Sequence, residues 1–291
     1  MGSTSDTEYD FEFDLNQWPL GESEEDADYR GWCLRHRLFL SPLNDACRCT
    51  VANRDIIHLP SHTYSIDEEP RFPRYFNLLK QEYVTARYML FETINSNDKH
   101  ISDKDVLLLN GFDGVQFRYR SEQIKTAYRL AYSLFDKIAL FLNDYFLVGL
   151  KSESVSFRQI WGKKRNNIFE IYPCFEKSKN WPLRGLYYLS KDLYDEDFMD
   201  VSLPNAQELA SLRNLIEHRF LSLQDHAYNA QNTDTHSYIT VSDFRKKVLL
   251  IISVVREALI YLSLAMYREE VIRDKDKDRG KLSVHITPTP L

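Results

Sequence analysis

The sequence predicts an all-α protein: a bundle of four to five long helices preceded by an irregular N-terminal arm. Apolar residues recur at three- and four-residue steps over long stretches, which is the spacing of one buried helix face. No stretch shows a strong strand pattern, and the 291 residues include only 9 Gly and 10 Pro that could interrupt helices. These observations favour a helical bundle over a protein built on a β-sheet.

The composition is that of a globular protein, with 43% hydrophobic residues, 27% charged residues and enough length to bury a substantial core. No apolar run reaches the roughly 18 residues that span a bilayer, and the N-terminus lacks a signal-peptide pattern. A cytoplasmic protein with no membrane partner is therefore expected. The cysteines form no CxxC pair, and the spacing of Cys47 and Cys49 is wrong for common zinc fingers. Reduced thiols are expected, with no metal site and no cofactor.

The charge is distributed unevenly along the chain. Before Arg30 every charged side chain is acidic, and aromatic residues lie among the acids. Residues 1–28 are therefore predicted to be an acidic, flexible arm; the alternative is an arm that docks its aromatics on the domain while its acids mimic nucleic acid. The net charge of −6 argues against nucleic-acid binding over the whole surface, but the rest of the chain is slightly basic.

Three further regions follow the arm. Residues 29–70 are predicted to be packed but irregular, residues 71–270 to form the helical domain, and residues 271–291 to be a disordered tail rich in charge. The connector that contains Asn110-Gly111 and Asp113-Gly114 fits either a small hairpin or a loop.

The long helices are predicted from periodicity over residues 72–94, 121–146, 206–228 and 242–268. Residues 248–255 are apolar nearly all round, which is typical of a central core helix. The predicted buried faces are Tyr75, Phe76, Leu79, Tyr83, Ala86, Leu90 and Ile94 in the first helix and Ile124, Ala127, Tyr128, Ala131, Phe135, Ile138, Leu142 and Tyr145 in the second.

Residues 151–191 combine many basic residues with aromatic ones and contain few acids. Single-stranded nucleic acid needs cations for its phosphates and aromatic faces for its bases, so this segment is predicted to bind RNA. The alternative is a solvated connector whose aromatics cover the core. The candidate RNA-binding residues are Trp161, Lys163, Lys164, Arg165 and Lys179.

The third predicted helix, AQELASLRNLIEHRFLSLQDHAY over residues 206–228, contains the candidate catalytic residues Arg213, Asn214 and His218. On a straight helix Asn214 and His218 are neighbours, whereas Arg213 lies about 140° round from His218. Convergence of the two groups then requires the reach of the arginine, a bent helix or a second subunit. The predicted polar face of this helix is Gln207, Ser211, Asn214, His218, Ser222 and Asp225.

These residue types suit metal-independent cleavage of RNA, in which the 2′-hydroxyl attacks the adjacent phosphate. A histidine can accept or donate a proton near neutral pH. An arginine can hold the phosphate and stabilise the transition state, and Asn214 could orient either partner. The spacing alone is weak evidence, because Arg30 to His36 and Arg219 to His226 are similar pairs.

RNLIEH, over residues 213–218, is similar to the R-x(4–6)-H signature of HEPN domains, in which a polar residue commonly follows the arginine. Together with YRGWCLRHRLFLSPLND and FNLLKQEYVTARYMLFE, the segment LPNAQELASLRNLIEHRF resembles the LA2681-like HEPN family. The resemblance implies a HEPN-like bundle that dimerises and a metal-independent endoribonuclease in prokaryotic defence or toxin-like growth arrest. Arg213, Asn214 and His218 match the motif. A neutralising or sensor protein would be a natural partner.

Two other interpretations are open. The chain could be a non-catalytic helical module that binds RNA or a protein, since some HEPN proteins bind without cutting. A small-molecule binder or nucleotide-transfer partner has no support from a Gly-rich phosphate loop.

Overall fold

The computed structural model describes residues 18–60, 70–95, 99–109, 113–166, 168–194, 206–227 and 231–274. The chain divides into two compact units, Met1–Asp55 and Ile56–Leu291. The described residues are mostly helical, so the predicted all-α class is confirmed. Residues 1–17 of the predicted arm and residues 275–291 of the predicted tail lie outside the described residues.

In the first unit the described residues, 18–55, include the α-helices α1 (Glu24–Arg35) and α2 (Leu43–Ala46). α1 begins inside the segment that was expected to be a flexible arm. The physical reason is local: the Ser23 hydroxyl accepts a hydrogen bond from the Asp26 backbone N–H, and three acids occupy the first turn. Acidic side chains stabilise the positive end of a helix, so this part of the acidic segment starts a helix.

The second unit is a helical bundle that carries two short two-stranded sheets. In chain order it contains α3 (Arg71–Asn95), α4 (Tyr119–Tyr145), β1 (Gly162–Arg165), β2 (Ile168–Ile171), α5 (Pro173–Glu176), α6 (Trp181–Tyr194), α7 (Ala206–His218), β3 (Phe220–Gln224), β4 (His236–Thr240) and α8 (Val241–Asp274).

The helices α3, α4 and α8 form the centre of the bundle. α3 and α4 are antiparallel, because Glu82 pairs with Lys137 while Gln123 donates to Glu92 at 2.6 Å. α8 runs parallel to α4, since the Tyr145 hydroxyl donates to Glu270 at 2.8 Å near the far ends of both helices. α6 packs on α8, and α7 packs on α6 and α4.

The predicted buried face of α4 is confirmed in full, because all eight of its residues are buried. On α3 the predictions for Tyr75 and Ile94 are wrong: these side chains are 37% and 38% exposed. They lie near the two ends of α3, which packs mainly on α4 and α8.

α8 is the core helix that the sequence predicts. By length and composition it could cross a membrane, but 67% of its most apolar window is buried inside the fold. Val248, Ile251, Ile252 and Val255 are all fully buried. The helix continues to Asp274, several residues beyond the predicted end.

The strands are the main departure from the predicted elements. The helix predicted over residues 206–228 ends at His218, and β3 follows in parallel register with β4, Phe220 opposite His236. Leu221 and Leu223 are buried while Phe220 is 72% exposed, an alternation that suits a strand and not a helix face. In the connector, whose residues 110–112 lie outside the described residues, Val115 bridges Gln224 of β3. The described flanks therefore do not pair with each other as a hairpin.

Candidate functional site

The helix α7 is anchored on α4 by two hydrogen bonds to its backbone carbonyls. The Tyr128 hydroxyl donates to Leu209 O at 2.6 Å, and Arg129 Nη2 donates to Ile216 O at 2.9 Å. Leu212 and Ile216 are each only 5% exposed, so the apolar face of α7 is fixed against the bundle. The opposite face, with Asn214 and His218, remains exposed.

The Arg213 side chain is half-buried and held by its neighbour. Its Nη1 donates to Asn214 Oδ1 at 3.3 Å, so the asparagine orients the arginine and not the histidine. Within the described part of the chain Arg213 forms no ion pair with a carboxylate. A guanidinium without a carboxylate partner has donors available for an incoming phosphate.

Two tyrosine hydroxyls from other helices lie near Arg213. Tyr132 of α4 and Tyr194 of α6 are hydrogen-bonded through their hydroxyls at 2.9 Å. Burial raises the pKa of both hydroxyls, and the positive charge of Arg213 acts in the opposite direction. Both tyrosines are therefore neutral at pH 7 and do not compensate the arginine. The sequence carried no signal for this pair, because the two residues are far apart in the chain.

His218 is the last residue of α7 and is exposed to solvent. α7 is a continuous α-helix from Ala206 to His218, and five residues of α-helix place His218 about 140° round from Arg213. Among the described residues no hydrogen bond joins them. One chain therefore presents the two groups on different sides of α7.

The predicted polar face of this helix is wrong beyond His218. Ser222 lies on β3, where its Oγ is 2.7 Å from His236 Nε2. Asp225 follows the strand and accepts a hydrogen bond from Gln116. His236, opposite Phe220 in the sheet, is thus a half-buried histidine close in space to the strand that follows His218.

A cavity of about 880 Å³ lies beside α6 in the segment predicted to bind RNA. Of the predicted residues, Lys163 and Lys164 of β1 line it together with Trp161. Arg165 and Lys179 are exposed but do not line the cavity. Cations and aromatic side chains that the prediction did not single out complete the wall: Arg158, Phe169, Tyr172, Tyr187, Lys191 and Tyr194.

The Trp161 ring is not placed to stack on an RNA base, although Trp161 was predicted to bind RNA. The side chain is 2% exposed and its ring packs against Phe157, Phe175 and Tyr187, so neither face is open to a base. Its Nε1 is buried without a hydrogen-bond partner among the described residues. Trp161 therefore lines this cavity without offering it a stacking surface.

Tyr194 connects the cavity with Arg213. It lines the cavity and shares a hydrogen bond with Tyr132, and the charge of Arg213 partly offsets the rise that burial causes in its hydroxyl pKa. No group of three or more His, Cys, Asp or Glu side chains that could hold a metal occurs in the described ranges.

The comparisons with known proteins give one match. The model of the family described as LA2681-like HEPN matches residues 63–269, which is more than half of the chain and includes all of α7. No curated protein and no solved structure matches the chain.

Proposed function

The chain belongs to the LA2681-like HEPN family, and from this we propose that it is a metal-independent endoribonuclease of a prokaryotic defence or toxin-like system. Membership of the family points to a nuclease or RNA-related function. The finer assignment, with Arg213, Asn214 and His218 as the site, rests on their chemistry and placement. An RNA substrate fits the proposed cytoplasmic location, and a toxic activity would fit a neutralising or sensor partner.

The observation that carries the proposal is the state of Arg213. Its guanidinium is half-buried, oriented by Asn214 and, within the described residues, without a carboxylate partner. A partly buried arginine that remains unpaired has lost part of its hydration without gaining a partner, which does not stabilise the fold. A phosphodiester would satisfy both its charge and its planar array of donors.

The reaction needs only groups that this chain and the RNA supply. The ribose 2′-oxygen forms a bond to phosphorus, its proton passes to a base, and the bond from phosphorus to the 5′-oxygen breaks as that oxygen takes up a proton. His218 serves as the proton acceptor or donor, and Arg213 stabilises the charge on the phosphate oxygens. The products are a 2′,3′-cyclic phosphate and a 5′-hydroxyl.

A second copy of the chain supplies the missing half of the site. Arg213 and His218 lie on different sides of one regular helix, whereas two such helices across a two-fold axis can bring the arginine of one to the histidine of the other. Phe220, two residues after His218, is 72% exposed, and a large exposed apolar side chain at this position suits a subunit interface. We therefore propose a homodimer with composite sites.

The test is cleavage of tRNA, mRNA and rRNA by the purified protein in EDTA. His218→Ala and Arg213→Ala are each expected to lower the rate by at least about a hundredfold, the usual effect of losing a proton-transfer group or a transition-state cation. His226→Ala is the matched control, because His226 is also exposed and also follows an arginine at similar spacing. Full cleavage by His218→Ala, or cleavage that needs a divalent cation, would contradict the proposal.

The second candidate is a module that binds RNA without cutting it. It is favoured by the cavity of about 880 Å³ with its lysines and by the separation of Arg213 from His218 in one chain. Under this candidate the same assay shows no product, while RNA affinity falls steeply with salt and with Lys163→Gln and Lys164→Gln.

A further inference from the structure

A second, smaller cavity of about 200 Å³ lies where α4 and α8 begin, at the end of β3 that is remote from His218. Val241, the first residue of α8, and Ser121, in the first turn of α4, line it. The amino-terminal ends of helices carry partial positive charge. Two such ends therefore meet at one small cavity.

The side chains around this cavity are mainly cationic. Four of its lining residues carry positive charge and two carry negative charge: Lys99, Arg118, Arg120 and Arg245 against Asp103 and Asp225. Both carboxylates are engaged locally. Asp103 Oδ1 accepts the Tyr119 backbone N–H at 2.8 Å, and Asp225 Oδ1 accepts a hydrogen bond from Gln116. Neither lies in an ion pair with Lys99, Arg118 or Arg245 in the described part of the chain.

Buried donors at the cavity lack partners. Ser121 is 4% exposed, and its Oγ has no hydrogen-bond partner among the described residues. The Nε of Arg245 is also buried without a hydrogen-bond partner among the described residues, although the Nη2 of the same side chain donates to the Thr93 carbonyl oxygen. Burial, and then the charge of Arg120, lower the pKa of the Arg245 guanidinium. Buried donors and close cations of this kind are stabilised when an anion occupies the space between them.

We propose that this cavity binds a phosphate group. Phosphate oxygens can accept hydrogen bonds from the Ser121 hydroxyl and the Arg245 guanidinium while Arg118 and Lys99 add charge at the rim. The partial positive charges at the amino-terminal ends of α4 and α8 also attract the phosphate. The volume is below the roughly 300–1,000 Å³ of pockets that enclose a drug-sized ligand, so it suits a phosphate group and not a whole dinucleotide.

The phosphate has two possible sources, free phosphate and the phosphates of RNA. β3 has five residues and leads from the end of α7 to Asp225 at the cavity, a path of about 16 Å at 3.3 Å per residue. An RNA bound at His218 could reach the cavity over a few nucleotides. The proposed site does not depend on whether the chain cuts RNA, because it is defined by side chains outside α7.

Binding is measured by titration calorimetry on the full chain in phosphate-free buffer of low salt. The probes are inorganic phosphate and a 2′-O-methyl oligoribonucleotide with either a 5′-phosphate or a 5′-hydroxyl, which cannot be cleaved by 2′-hydroxyl attack. Arg118→Gln, an exposed residue at the rim, should weaken binding about tenfold through loss of a charged hydrogen bond. Ser121→Ala should also weaken binding without lowering the thermal stability of the free protein, because the hydroxyl has no partner to lose.

The controls are Arg268→Gln, an exposed arginine near the other end of α8, and Ser133→Ala, which removes a hydroxyl of α4 outside the cavity. Binding of inorganic phosphate that falls in the two test variants alone identifies a free-phosphate site. If only the binding of the oligonucleotides falls in these variants, the site binds a phosphate of RNA. If only the oligonucleotide with a 5′-phosphate binds, that phosphate is the terminal one. Equal binding of every probe by test and control variants would overturn the proposal. Since no probe is cleaved, this result is separate from failure of the ribonuclease assignment.

Discussion

The Asn214 side chain accepts a hydrogen bond from the guanidinium of Arg213, the residue that precedes it in α7. A neighbouring acceptor reduces the number of rotamers open to a long side chain and so prepares it for one geometry. The hydrogen bond also explains why a small polar residue suits the position after the arginine. A carboxylate there would neutralise Arg213, and an apolar side chain would leave it mobile.

We predict that Asn214→Ala lowers the cleavage rate about tenfold, less than the loss in Arg213→Ala, because a positioning contact contributes less than the cation itself. Asn214→Asp should lower the rate further, since its carboxylate would pair with Arg213 and repel the phosphate. Single-turnover cleavage of one RNA by each variant measures both effects.

Ser211→Ala, which changes another exposed residue of α7, is the control. Equal rates for Asn214→Ala and Ser211→Ala would show that the hydrogen bond to Arg213 has no part in the reaction.

At the scale of elements, the hairpin of β1 and β2 presents Lys163 and Lys164 to the larger cavity. Gly162 faces Ile171 in this hairpin, and a Cβ there would overlap the Glu170 carbonyl oxygen. A backbone that approaches so closely requires glycine. The two lysines therefore depend on Gly162 for their place, although it carries no charge.

We predict that Gly162→Ala weakens RNA binding about tenfold. The added Cβ would displace β1 and β2 and so move the lysines that contact the RNA phosphates, while the net charge of the protein stays the same. Fluorescence anisotropy with a 2′-O-methyl oligonucleotide measures the change. Gly31→Ala in α1 is the control, since a Cβ there meets side-chain atoms only at 3.4 and 3.5 Å. Unchanged affinity in Gly162→Ala would place the RNA elsewhere on the surface.

At the scale of the whole molecule, the positions of Arg213 and His218 predict which subunit supplies each group. If the arginine of one chain acts with the histidine of its partner, a heterodimer of Arg213→Ala and His218→Ala contains one intact site. Random association of the two variants should then restore about a quarter of the wild-type activity. Co-expression with two different tags, followed by cleavage assays of the mixture, measures this recovery.

No recovery would mean that both groups act within one chain or that one site needs all four residues. Phe220→Glu in both chains is a second test of the dimer, because a charge at this exposed apolar residue should separate the subunits and abolish activity. Leu107→Glu, at a residue that is 98% exposed, is its matched control. Separation by Leu107→Glu alone would place the interface at the connector before α4.

Periodicity in the sequence determined the long helices, the buried face of α4 and the central place of α8. A helix face repeats within a few residues, so these features can be predicted from short stretches of the sequence. The motif RNLIEH and its flanking segments likewise led to the family, and the match over residues 63–269 confirms it. The catalytic role of Arg213, Asn214 and His218 stays a prediction that the experiments above test.

Only the tertiary structure decided how α7 ends and what surrounds it. Strand β3 forms because Leu221 and Leu223 are buried and its backbone pairs with β4, a contact with residues more than ten positions away. The Tyr132–Tyr194 pair near Arg213 and the cavity at the starts of α4 and α8 likewise join distant segments. Hydrogen bonds and cavities between distant residues leave no periodic trace in the sequence, so they appear only when the chain is folded.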